Sequence, residues 1–341
     1  MRKSRLGIVR TSVALLACGL VVAGCSSGQE ESDTATAGSK KSGEIEIAVL
    51  QKQADQQYFV DEANGARAKA KELGDVKVTV ADLGLDANQA ITELETAIAQ
   101  NVDGIIIVVP DQQIGPQVID MANQAGIPLL AADDVIEDAS GDAAPFVGFN
   151  GTKMGEAVGE EAARLYEEAG WKASETRIIA AWKQDLSVCS DRVAGARSAF
   201  EASGVEVPKI IEVGTDNTPT GAQNKAGAVI TGNQGVKNWV VWGCNDENVS
   251  GIVTALQNAN FTPENIIGVG LGGYLACKPW DAGKKTGMKA ALFIDGKSVG
   301  ASATEVLVAH LRDGEKLPAE TIAPTEMVNA SNWREAGLKC T

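Results

Sequence analysis

The 341-residue sequence predicts an α/β fold of two doubly wound parallel-sheet lobes joined by a multi-strand hinge. Three observations lead there. Short apolar runs alternate with stretches of helical periodicity, the same series occurs twice, and the body from Glu44 onward is longer than one hydrophobic core usually serves.

The first series sets strands at Ile45–Leu50, Val76–Leu83, Gly104–Val109, Pro128–Ala132 and Phe146–Phe149. Between them Tyr58–Leu73, Ala87–Gln100 and Ile114–Gln124 carry apolar residues at helical spacing. After a helical stretch at Lys153–Glu168, a second series sets strands at Arg177–Ala181, Lys209–Val213, Trp239–Trp242, Ile266–Gly270 and Met288–Ile294, with helices such as Asp191–Ala202 and Glu247–Gln257. Ser298–Arg312 reads as a helix and Thr321–Val328 as one extended segment. Strands alternating with helices form a parallel sheet. Two such lobes with extended crossings make a hinged clamshell, its cleft at the carboxyl ends of the strands. The expected division is 44–150 plus 296–322 for one lobe and 151–293 plus 325–341 for the other.

Ahead of this body, Arg2, Lys3, Arg5 and Arg10 precede an apolar run, Val13–Val22, that ends in Val22-Ala23-Gly24-Cys25. Basic residues, a short apolar run and small residues make a secretory signal, expected over 1–24. The run is too short for a membrane-spanning helix of about 20 apolar residues. Small residues followed by cysteine resemble the bacterial lipoprotein box, which implies that Cys25 carries lipid. Residues 25–43 contain no Leu, Ile, Val or aromatic side chain and are expected to act as a flexible tether. The membrane is then met only through that lipid.

The chain has a net charge of −15, and removing the four basic residues of 1–24 takes it to −19. So acidic a body will not bind nucleic acid non-specifically. Of the six cysteines, Cys18 leaves with the signal and Cys25 takes the lipid, so Cys189, Cys244, Cys277 and Cys340 remain. An oxidising compartment suggests two disulfides among them, in any of three pairings. No CxxC pair is present and His310 is the only histidine, so no metal or cofactor is expected.

The residues just after each predicted strand are rich in planar polar and aromatic side chains: Lys52, Gln56, Tyr58 and Phe59, then Asp133 and Asp134, then Trp182 and Asp185, then Asn245 and Asp246. Such groups suit a hydroxyl-rich ligand, because a buried hydroxyl left unpaired costs about 1–3 kcal/mol. Aromatic rings cover the apolar faces of such a ligand. Asp133-Asp134 lacks the spaced acidic loop of a calcium site.

Five blocks in order carry a closer likeness: Lys52-Gln53 with Tyr58-Phe59, Leu130 to Asp134, Thr152 to Glu156, Asp191-Arg192 before Ala194-Gly195, and Gly243 to Asp246. Through most of Glu44–Gly296 the chain resembles the type I pentose- and hexose-binding family, the solute-binding proteins of ABC importers. The resemblance implies a monomer that captures a monosaccharide and delivers it to an importer permease, or a sugar-sensing co-receptor of the same fold. It also implies that Lys52 donates to a ring hydroxyl and that Asp134 accepts from the anomeric hydroxyl. Arg192 forks onto the ring oxygen and a neighbouring hydroxyl, and Asn245 bonds another hydroxyl. Phe59 forms an apolar wall and Phe149 takes the place of an apolar residue at the sugar's outer edge; Asp133 is placed in the ligand-binding set, the alternative being that it only orients Arg192 or Lys52. Trp182, Leu186, Gln56, Tyr58 and Gly272 complete the ligand-binding set.

The chain departs from the family's arabinose binders at Gln56, where they have Glu, at Tyr58, where they have Trp, and at Gly272, where they have a sugar-binding Asn. Leu275 replaces a further acid. The accepted sugar then changes, or Trp182 or Tyr274 fills the space. An enzyme is the rival class. The single histidine lies far from the predicted strand ends, and no GxSxG, glycine-rich phosphate loop or zinc motif occurs. Paired carboxylates remain as glycoside-cleaving groups, while the tether favours capture without chemistry.

Overall fold

The structure, a computed structural model, describes residues 43–340. The expected signal 1–24, nearly all of the tether and Cys25 lie outside the described residues. The chain opens with β1 (Ile45–Gln51), α1 (Gln57–Leu73), β2 (Val76–Asp82), α2 (Ala87–Ala99), β3 (Gly104–Ile107), α3 (Gly115–Ala125), β4 (Leu129–Asp133) and β5 (Phe146–Gly148). There follow α4 (Gly151–Ala169), β6 (Thr176–Trp182), α5 (Ser187–Ala202), β7 (Lys209–Gly214), α6 (Pro219–Gly232), β8 (Asn238–Gly243), α7 (Asp246–Asn258), β9 (Ile266–Gly272), α8 (Cys277–Asp281) and β10 (Met288–Ile294). It ends with α9 (Gly296–Asp313), β11 (Glu320–Ile322) and β12 (Thr325–Asn329).

Two six-stranded sheets result. The first is ordered β11-β5-β4-β3-β1-β2 and is parallel throughout. The second is ordered β12-β10-β9-β8-β6-β7 and is parallel except for β12, which runs antiparallel on β10. Winding reverses between β1 and β3 and again between β6 and β8, the switch points beyond which open α/β sheets bind ligands. Central strands such as β1 and β8 are buried on both faces, so they read as continuous apolar runs, whereas the edge strand β2 alternates.

The chain passes between the sheets three times. Asn150 after β5 and Asp295 after β10 each cap the following helix, accepting from the backbone N–H of Lys153 and of Lys297. The third passage runs through the extended segment expected at Thr321–Val328. It is two strands in two sheets, parted at Ala323-Pro324, where proline has no N–H to continue a ladder. The helix expected from Asp191 begins earlier, at Ser187. The cysteines pair as Cys189–Cys244 and Cys277–Cys340, which selects one of the three possibilities. Among the described residues, no helix is long and apolar enough to cross a membrane, and no group of three or more His, Cys, Asp or Glu could hold a metal ion.

Candidate functional site

A cavity of about 380 Å3 lies between the carboxyl ends of the two sheets, within the usual range for small-molecule sites of roughly 300–1,000 Å3. The first lobe contributes Gln53, Asp55, Gln56, Tyr58, Phe59 and Asp133, and the second Arg192, Asn217, Asn245, Glu247, Gly272, Tyr274, Leu275 and Lys278.

The first lobe's wall is ionic. Asp133 ends β4 at φ 63°, and the next N–H, of Asp134, donates back to the Ala132 carbonyl at 2.7 Å. A γ-turn at positive φ is costly for a residue with a side chain, and such strain gathers at ligand sites. The turn closes over Gly148, where a Cβ would stand 2.8 Å from the Asp133 backbone. It aims two adjacent carboxylates differently. Asp133 accepts from the Tyr58 hydroxyl at 3.1 Å, while Asp134 accepts from Lys52 at 3.2 Å and faces Arg192 of the other lobe at 3.7 Å. Burial, reinforced by Asp134, pushes the Asp133 carboxyl up to about 6, partly opposed by Arg192 and Lys52. Glu62, one turn beyond Tyr58 and 1% exposed, is driven well above the carboxylate range by burial, then by Asp133 and Asp134.

The second lobe's wall is built on amides. Asn245 caps α7 through its Oδ1, which accepts from the Asn248 N–H at 3.1 Å and from the Asn248 side chain at 2.6 Å. Its Nδ2 donates to the Asn217 carbonyl at 3.2 Å, leaving one N–H of the amide for a ligand. Arg192 donates from Nη1 to the Cys244 carbonyl at 3.4 Å, and its Nε has no partner among the described residues although the side chain is nine-tenths buried. A guanidinium with donors to spare, held in a plane, is suited to vicinal oxygens. Burial, then Asp246, pushes Glu247 up to about 7. Aromatic rings join the lobes: Tyr58 meets Phe59 at 5.0 Å, Phe149 at 6.4 Å and Tyr274 at 6.3 Å between centroids.

Of the expected set, Gln56, Tyr58, Phe59, Asp133, Arg192, Asn245 and Gly272 line the cavity. Lys52 and Asp134 stand behind that lining, bonded to each other, and Phe149 packs on Tyr58. Trp182 and Leu186 are buried outside the lining. Tyr274 lines the cavity together with Gly272, and Trp182 does not. Sequence reasoning missed Asn217, Glu247 and Asp55. Asn217 sits in Thr215-Asp216-Asn217-Thr218-Pro219, which reads as a turn and hides its buried side chain.

Two α/β lobes with a polar cavity between their strand ends define a two-lobed ligand-binding protein. A profile of the periplasmic binding protein domain matches residues 47–316, and the chain belongs to that family. It is 27% identical over 296 residues to the ABC transporter L-arabinose-binding periplasmic protein of Azospirillum brasilense, covering 85% of this chain and 88% of that one. To the L-arabinose-binding periplasmic protein of Escherichia coli K12 it is 26% identical over 298 residues, covering 85% and 89%. Among solved structures, a periplasmic solute-binding protein of Actinobacillus succinogenes with bound D-allose matches with a TM-score of 0.74 at 24% identity, over 86% of this chain and all of that one. One from Bacillus halodurans with bound myo-inositol matches with a TM-score of 0.73 at 22% identity, over 87% and 99%. These structural likenesses are of fold.

Proposed function

We propose that this chain is an extracytoplasmic binding protein, anchored by lipid at Cys25, that closes its lobes on a monosaccharide and presents it to an ABC importer. The sugar is an aldopyranose, L-arabinose or a related aldopentose or aldohexose, bound as a monomer and without chemistry. The observation that carries this reading is the nine-tenths buried Arg192 with an unpartnered Nε, in a cavity that also offers a spare Asn245 N–H and an aromatic wall. That combination matches the alternating hydroxyls and apolar C–H face of a sugar ring. The two relatives' names and the five sequence blocks support the same class, while Gln56, Gly272 and Leu275 favour a sugar decorated differently from arabinose on that side.

A thermal-shift screen of residues 44–341 against pentoses, hexoses and polyols tests the reading. A true ligand at about 100 times its dissociation constant adds about 2.7 kcal/mol; no shift with any of them rejects it. For the anchor, Cys25→Ala releases the protein from the membrane fraction, and an unchanged membrane share refutes lipidation.

A further inference from the structure

We propose that the Cys189–Cys244 disulfide and Asn217 form a brace that positions Arg192 and Asn245 as one rigid unit in the second lobe's wall. This rests on the sugar-binding reading for its purpose, though not for its geometry. Cys189 precedes Arg192 by three residues in α5, one helical turn, so the two share a face. Cys244 is the chain neighbour of Asn245. The sulfur bridge, with its Cα atoms 4.8 Å apart, thus ties the helix bearing the guanidinium to the strand end bearing the amide.

Three further contacts close the unit. Arg192 Nη1 donates to the carbonyl of Cys244 itself. Asn217, in a left-handed conformation at φ 61°, donates from Nδ2 to Cys189 Sγ at 3.2 Å and receives Asn245 Nδ2 on its carbonyl. Its own Oδ1 accepts from the Lys183 N–H at 2.9 Å and from Asn248 Nδ2 at 2.8 Å, so the amide is locked from both ends. Behind Arg192, α4 presses backbone to backbone on α5: a Cβ on Gly155 would stand 2.0 Å from the Arg192 carbonyl oxygen. Both sulfurs belong to residues at most 3% exposed, so the bridge is part of the site's foundation. Groups held this way meet a ligand without being ordered by it, and small misplacements of such groups are expensive.

The test compares Cys189→Ala/Cys244→Ala with Cys277→Ala/Cys340→Ala, whose bridge ties α8 to the segment after β12 and includes no neighbour of Arg192 or Asn245 in the chain. Side-chain NMR of Arg192 Nε–H and Asn245 Nδ2 in the ligand-free protein reads the brace directly. Both signals shift or broaden in the first variant and stay in place in the second. Calorimetry with the sugar found by the screen reads the consequence: affinity falls about tenfold or more in the first variant. Asn217→Gly, which keeps the backbone conformation and the disulfide, moves the Asn245 signal and supports the brace even if the cysteine variant does not fold. Unmoved signals in the folded Cys189→Ala/Cys244→Ala protein, or in Asn217→Gly, overturn the brace. Wild-type protein that binds no sugar refutes the functional reading, while the ligand-free signals still decide the brace.

Discussion

In the first lobe α1 crosses α9 at Gly65 and Gly300, where added Cβ atoms would meet the Lys297 and Glu62 carbonyl oxygens at 2.0 and 1.9 Å. In the second, α4 crosses α5 at Gly155 and Gly195 in the same manner. Sheet order and helix crossing thus repeat. The means of holding the site do not. The first lobe relies on opposed charges, Lys52, Asp133 and Asp134, beneath a strained turn, and contains neither disulfide. The second contains both, and sets its cavity-lining groups with the amides of Asn217, Asn245 and Asn248. A shared architecture therefore fixes where the cleft lies, while each lobe stabilises its wall by chemistry of its own. A direct charge contact between the walls, Asp134 with Arg192, links the two schemes.

Removing the carboxylate at that link is expected to do the most harm. Asp134→Ala takes from the buried Lys52 and Arg192 their nearest carboxylate and leaves Asp133 as the remaining counter-charge, and breaking a buried ion pair costs up to about 3–5 kcal/mol. Denaturant unfolding should show a loss of that size, and a variant as stable as wild type would mean that the ionic wall contributes nothing. Next comes Cys277→Ala/Cys340→Ala. A disulfide closing a loop of 63 residues is worth about 2–4 kcal/mol through the unfolded chain. Hydrogen exchange should place that loss in the second lobe and leave β1, β3 and β4 protected. Equal loss in both lobes would show that they unfold as one unit and break the comparison.

Arg192→Ala acts on the ligand more than on the fold. Charged hydrogen bonds of this kind contribute about 1.5–3 kcal/mol, roughly 10- to 150-fold in affinity. Calorimetry that finds the folded variant within threefold of wild type removes Arg192 from the site.

Much of this was legible before any coordinates. Central strands buried on both faces announce themselves as apolar runs, and the switch-point rule then leads to Tyr58, Asp133 and Asn245, whereas Arg192, inside α5, was reached only through the family resemblance. What escaped has physical reasons. Glu62 lies in the polar stretch Asp61-Glu62-Ala63-Asn64, which resembles a solvated helix face, yet tight packing against Gly300 buries it. Helix α6, Pro219–Gly232, is rich in glycine and threonine and buries only Ala222 and Ala226, so its apolar period is faint. Asn217 is a turn former by composition and a structural hub by position. Cysteine pairing depends on which strand ends and helices meet, which spacing does not encode.

The smallest effect separates the lobes by pH. Asp133, in the first lobe, titrates near 6 when folded, and Glu247, in the second, near 7. Both lie above their unfolded values of about 4. Between the unfolded and folded values the folded protein holds protons that the unfolded chain has released, so stability from these groups falls as pH rises and levels off above the folded value. Going from about pH 7.5 to about pH 5 should therefore add about 1 kcal/mol from Asp133, and roughly twice that from Glu247, whose step sets in nearer neutrality. Sugar affinity should move the other way, because a protonated Asp133 is a poorer acceptor beside the ligand and a weaker partner for Arg192. Stability and affinity measured across this range in Asp133→Asn and Glu247→Gln assign each step. Asp133→Asn should abolish the step near 6 in both measurements, and Glu247→Gln the one near 7 in stability. If Asp133→Asn retains the affinity step, the first lobe's carboxylate does not face the sugar and the ionic wall only supports the fold.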